Sequence, residues 1–190
     1  MFDFITGSCN FVIQEVENTM EEIVNKVKNS GLLQKDLAAY KPRMPFYEID
    51  IAEQLWQGLI LKEKDYRAWL KEHDWSMYDN GAVWIHCSSE AIVPAWAFML
   101  IVSKLTERGI PSIVGSKQEL EKMLIKKAIE QEDLSQYQDA MMIVKGCSDI
   151  HSIEFAMSEF VAHFQKAAKS IMFGEPCSTV PVFKRSKKAE

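Results

Sequence analysis

The chain has 190 residues, of which 47% are hydrophobic and 26% charged, an ordinary globular composition with enough apolar material for one well-packed domain. Its net charge of -5 argues against nucleic acid as a main partner. The longest apolar stretch, AIVPAWAFMLIV over 91–102, contains Pro94 and falls well short of the roughly twenty residues that cross a bilayer, so no membrane partner is expected.

Residues 1–18 read as an N-terminal extension. They carry no Lys or Arg ahead of their apolar part and no small-residue cleavage site, so they do not fit a signal peptide, and a cytoplasmic location is expected. A helix is predicted from about Thr19 to Asn29, stopped by Gly31, followed by a loop with Pro42 and Pro45. Phe46 to Ile51 alternates as an edge strand would, and Glu63 to His73 places Tyr66, Trp69 and Leu70 on one helical face. From Gly81 onward, short apolar runs alternate with helical patterns. The runs are Ala82–His86, Ile110–Val114, Ala140–Val144 and Ser170–Phe173, and the helices run from about Pro94 to Arg108, Lys117 to Glu130 and Ser152 to Ala168.

The expected fold class is therefore α/β: a single domain over residues 19–184 with a four-stranded, mostly parallel sheet of successive βα units flanked by helices, an N-terminal helix and an added edge strand. Residues 185–190 form a basic tail, too short to reverse the acidic balance.

Three of the four cysteines are followed directly by serine: Cys87-Ser88, Cys147-Ser148 and Cys177-Ser178. Their spacing matches two βα units and then one, which puts each just after a strand. Serine is a favoured helix N-cap; Ser116 with Glu119 forms a capping box, and Ser88 and Ser148 suit similar cap or turn roles. Ser178 has no such excuse, since Val180 and Pro181 do not begin a helix. Loops at the carboxyl ends of parallel strands are where ligands bind, and a thiol near a helix N-terminus is biased towards thiolate, the form that binds soft metals.

Glu90, Asp149 and Glu175 lie close to these cysteines in sequence, so three thiolates on one rim would need a compensating cation. Cys87, Cys147 and Cys177 are accordingly the expected metal ligands, with Ser88, Ser148, Asp149 and Ser178 lining the bound group. An iron–sulfur cluster or its iron is the first expectation and zinc the alternative. No CxxC pair of a zinc ribbon or ferredoxin is present. His151 is a candidate fourth ligand; His86 would point to the opposite face, and His73 and His163 read as helix-surface or packing residues. Cys9 lies outside the repeat.

No GxSxG, P-loop or GxGxxG occurs, and no catalytic residue is singled out. A thiol-based redox or sulfur-transfer enzyme using Cys147 or Cys177, and a non-catalytic interaction module with structural cysteines, remain the competing readings. Trp96, Phe98 and Met99 read as core.

The segments HCSSEAIVPAWAFML, KGCSDI and SIMFGEPCSTVPVFKR resemble an uncharacterised bacterial family catalogued as a domain of unknown function, over about Met20 to Lys188. The resemblance brings no activity with it. It implies partners among iron–sulfur assembly proteins, beside whose genes those of the family tend to lie.

Overall fold

The computed structural model describes residues 31–146 and 150–186. Cys9, the helix expected over 19–29, and Cys147, Ser148 and Asp149 lie outside the described residues. The described residues form seven strands: β1 (Leu32–Asp36), β2 (Phe46–Asp50), β3 (Ala82–His86), β4 (Ser112–Val114), β5 (Met141–Lys145), β6 (Ser170–Glu175) and β7 (Ser178–Lys184). The helices are α1 (Glu63–Glu72), α2 (Ala95–Glu107), α3 (Lys117–Glu130) and α4 (Ile153–Phe164). Among the described residues no helix is long and apolar enough to cross a membrane.

The protein is α/β, with a mostly parallel four-stranded sheet in the order β1-β5-β6-β7 and a parallel three-stranded sheet in the order β2-β3-β4. The four apolar runs of the βα pattern are thus divided, β3 and β4 to the smaller sheet and β5 and β6 to the larger. Two strands without a periodic signal complete the larger sheet. LLQKD of β1 has no apolar alternation and pairs in parallel with β5. STVPVFK of β7 contains Pro181, which an edge strand tolerates because its outward amide needs no partner. Phe46–Asp50 is an edge strand, as its alternation predicts, at the margin of the three-stranded sheet.

Local sequence explains where the helices start and stop. Ser116 Oγ accepts from the Glu119 amide at 3.2 Å while Glu119 Oε2 accepts from the Ser116 amide at 2.7 Å, closing the capping box ahead of α3. Pro94 stands at the N-cap of α2, and Gly109 follows its end with φ 71°, a left-handed conformation that favours glycine.

α3 joins the two sheets. Its Ile125 and Ile129 pack with Met142, Val144, Ile171, Phe160 and Phe164 in the core of the larger sheet. Its Leu120 and Leu124 pack on Ala82 against one face of the smaller sheet. The other face of that sheet, Ile49, Val83 and Ile85, is covered by Tyr66 and Leu70 of α1 and by Ala97, Ile101 and Leu105 of α2. Trp96 and Phe98 are partly buried here, whereas Met99 is 68% exposed and so lies outside the core.

The architecture is a duplication that periodicity alone does not reveal. The succession α1-β3-α2-β4 recurs as α3-β5-α4-β6 at one constant offset in sequence. Tyr66 and Leu70 correspond to Ile125 and Ile129, and Ala97, Ile101 and Leu105 to Ala156, Phe160 and Phe164; all are buried. Ahead of β3 and β5, Asp74 and Asp133 each accept from the amide two residues on, Ser76 or Ser135, to open a 3-10 turn. Tyr78 and Tyr137 are buried in those turns, and Asn80 and Asp139 follow with φ 62° and 54°. Each half borrows a first strand from upstream: β2 serves β3 and β1 serves β5. Asp36 and Asp50 end these strands alike, each Oδ1 accepting from Ala38 or Ala52 to start a further 3-10 turn. Asp36 is level with Lys145 and Asp50 with His86, so strand register preserves the correspondence.

Candidate functional site

The two thiols among the described residues, Cys87 and Cys177, are delivered to strand ends, but on two sheets. Cys87 follows β3 of the smaller sheet, half-buried beside the core of α1 and α2, and its thiol donates to the Ser89 carbonyl at 3.5 Å. Ser88 caps no helix; its amide donates to Asp50 Oδ1 at 2.9 Å, tying the Cys87 loop to the end of β2. Burial opposes the charge on Asp50, but bonds from Ser88 and Ala52 outweigh it and hold that carboxyl below its ordinary value. Cys177 is exposed on the larger sheet, where Pro176 and Cys177 make the two-residue turn between Glu175 and Ser178. Ser178 is explained by that hairpin: it begins β7, level with Glu175.

Cys147, Ser148 and Asp149 lie outside the described residues, yet their approach is fixed up to Gly146. Strands β5 and β6 run side by side, and Lys145 Nζ meets Glu175 Oε2 at 2.6 Å. The residues two beyond each of these are Cys147 and Cys177. Both cysteines with placed side chains, Cys87 and Cys177, are free thiols. No group of three or more His, Cys, Asp or Glu among the described residues is arranged to hold a metal ion. His86 Nε2 lies 2.6 Å from Glu48 Oε1, His163 Nε2 lies 3.2 Å from the Glu132 carbonyl, and His151 is exposed.

A second feature escaped sequence reasoning. A cleft of about 360 Å³ opens along the outer edge of β2, walled by Glu48, Asp50, Glu53, Trp69, His73 and Tyr78. His73 Nε2 and Tyr78 Oη are 3.0 Å apart, and the imidazole is packed among aromatic rings, 5.0 Å from Trp69 and 4.7 Å from Trp75 between centroids. Burial holds His73 below its ordinary pKa, with Asp74 opposing; burial, helped by Glu53, pushes the Tyr78 phenol up. The signal for this site was present in HDWSMY at 73–78 and EDLSQY at 132–137, which align only once the constant offset is known.

A family model described as "Protein of unknown function (DUF2480)" matches residues 21–185. The chain belongs to this family. The DUF2480 match takes in both halves of the duplication, the Cys87, Cys147 and Cys177 positions and the cleft. No curated protein and no solved structure matches the chain.

Proposed function

We propose that this DUF2480 chain is a cytoplasmic metal-thiolate protein, with an iron–sulfur cluster or its iron as the leading cargo, zinc as the alternative, and iron–sulfur assembly proteins as partners. What supports the reading is the Lys145–Glu175 ion pair, which draws together the ends of the two strands that lead to Cys147 and Cys177. Those two thiols form the core of the proposed site. Cys87 would be a third ligand, approaching from the smaller sheet, where its thiol donates to the Ser89 carbonyl and packs against the core of α1 and α2. Thiolates are the donors that iron–sulfur clusters and zinc select, and fewer than four from the protein leave a position open for exchange with a partner.

The test is elemental analysis and visible absorbance of anaerobically purified protein and of its Cys-to-Ser variants. Wild type should carry metal, Cys147→Ser and Cys177→Ser should each lose it, and the content of Cys87→Ser decides whether that thiol belongs. Metal-free protein after reconstitution, with all three variants indistinguishable from wild type, overturns the proposal.

A further inference from the structure

The two halves treat one and the same cleft differently. In the second half the end beside Glu132 and Tyr137 is filled from within, while a pocket of about 300 Å³ remains beside Ala39, Tyr40 and Ala128. Tyr137 donates to Glu132 Oε2 at 2.6 Å, while Lys35 Nζ from β1 and Tyr40 Oη from the 3-10 turn after it reach Glu132 Oε1 at 2.9 and 3.1 Å. The Lys35 ammonium also stands 5.0 Å from the centroid of the Tyr137 ring. A carboxylate, two phenols and an ammonium thus close on one another.

In the first half Tyr78 and His73 take the places of Tyr137 and Glu132, and their side chains again meet, at 3.0 Å. The equivalence of Asp36 and Asp50 puts Ile49 where Lys35 stands and Gln54 where Tyr40 stands, so neither the ammonium nor the second ring is supplied. The space is open, as the cleft of about 360 Å³. Its charge has moved the other way: Gln34 and Ala39 of the second half correspond to Glu48 and Glu53 of the first. With Asp50, three carboxylates line the opening, and among the described residues no Lys or Arg does. Among the described residues the imidazoles at hand are His73 in the wall, which burial holds below its ordinary pKa, and His86, bonded to Glu48. Clustered carboxylates beside an aromatic wall favour a cation from outside.

We propose that the first-half cleft binds a primary ammonium on an alkyl stem, seated beside the stacked Tyr78–His73 pair as Lys35 is seated beside Tyr137 and Glu132. The ammonium offers three donors to acceptors among Glu53, the Tyr78–His73 pair and the Gln54 carbonyl, and its stem lies along Trp69. A lysine side chain of another protein and a free alkyl diamine share this chemistry. The site uses no cysteine, so it stands independently of the metal proposal.

Titration of the full-length protein at low salt, followed by the NMR signals of the Trp69 indole and the His73 ring, tests it. The probes are Nα-acetyl-lysine amide and 1,5-diaminopentane, with neutral Nα,Nε-diacetyl-lysine amide as control. Saturable shifts with a charged probe and none with the neutral one are expected, and whichever charged probe binds more tightly identifies the source. Gln54→Tyr restores the ring of the second half and should abolish binding. Glu53→Gln, at an exposed position, should weaken it by about tenfold, the size of one charge-assisted contact, without moving the thermal midpoint. If Gln54→Tyr does not fold, Glu53→Gln carries the test. Equal shifts from the neutral control, no saturation with either cation, or unchanged binding in both variants overturns the proposal.

Discussion

Glu132 shows how much one side chain can organise. Burial works against its charge, yet hydrogen bonds from Tyr137, Lys35 and Tyr40 outweigh that and hold its carboxyl below the ordinary value of 4.5. A carboxyl whose folded pKa is depressed stabilises the fold above its unfolded pKa and loses that contribution as pH falls through the folded value. Stability should therefore drop below about pH 4.5, and Glu132→Gln should make that drop shallower. At pH 7 the same change should cost about 1–2 kcal/mol, because the Lys35 ammonium loses its partner while the Tyr137 bond survives. Urea unfolding at pH 7 and pH 3.5 measures both.

His73 occupies the corresponding place with the opposite ionisation. Burial depresses its folded pKa below 6.5, so its contribution is complete above that pH and is lost as pH falls through the folded value. A His73→Gln variant should lose less stability than wild type between pH 7 and 5, read as the change in urea midpoint. At this scale the spacing placed Cys87 and Cys177 at strand ends, whereas the trace of the cleft, HDWSMY against EDLSQY, shows only once the constant offset is known. His73 lies beyond the last turn of an amphipathic helix, a position that ordinarily means solvent, and only the folded halves laid side by side show that it takes the place of Glu132.

Among the elements, α3 was legible to the residue, Lys117 to Glu130, because a serine cap, a glutamate three residues later and the apolar spacing all agree. Ser116→Ala removes the Oγ acceptor and should lower stability by about 1 kcal/mol in chemical unfolding. Strands β1 and β7 were not legible. Both are held by backbone pairing at a sheet edge, where side chains need no alternation, and Pro181 reads as a breaker until the edge that tolerates it is seen.

The hairpin between β6 and β7 depends on Gly174, which has φ 118° and whose missing Cβ would lie 2.5 Å from the Ser178 carbonyl oxygen. Gly174→Ala must displace backbone on one side of the turn. It should shift the amide NMR signals of 175–179 and change the alkylation rate of Cys177, while the signals of β2 and β3 stay in place. An unchanged Cys177 rate would show the turn to be set elsewhere.

For the whole molecule, the duplication places all five tryptophans, Trp56, Trp69, Trp75, Trp84 and Trp96, in the first half or the connection leading into it. Tryptophan fluorescence thus reports the smaller sheet and the helices packed on it. Phe160 is fully buried in the core of the larger sheet, and Phe160→Ala should cost about 3–5 kcal/mol. Because α3 contributes to the cores on both sheets, the tryptophan transition should move with the far-UV circular dichroism transition in this variant. Separation of the two curves would mean that the halves unfold independently.

The pairing of β1 with β5 also bears on how the chain is made. Strands β2, β3 and β4 and the helices between them form one stretch from Phe46 to Val114, so the smaller sheet can close as soon as that stretch has emerged from the ribosome. β1 leaves first, yet its neighbour Met141–Lys145 arrives only after that sheet has been completed. Until then its edge has no partner from β5, and the closing of this long loop should be the slow, exposed step of synthesis, the moment at which a chaperone would matter most.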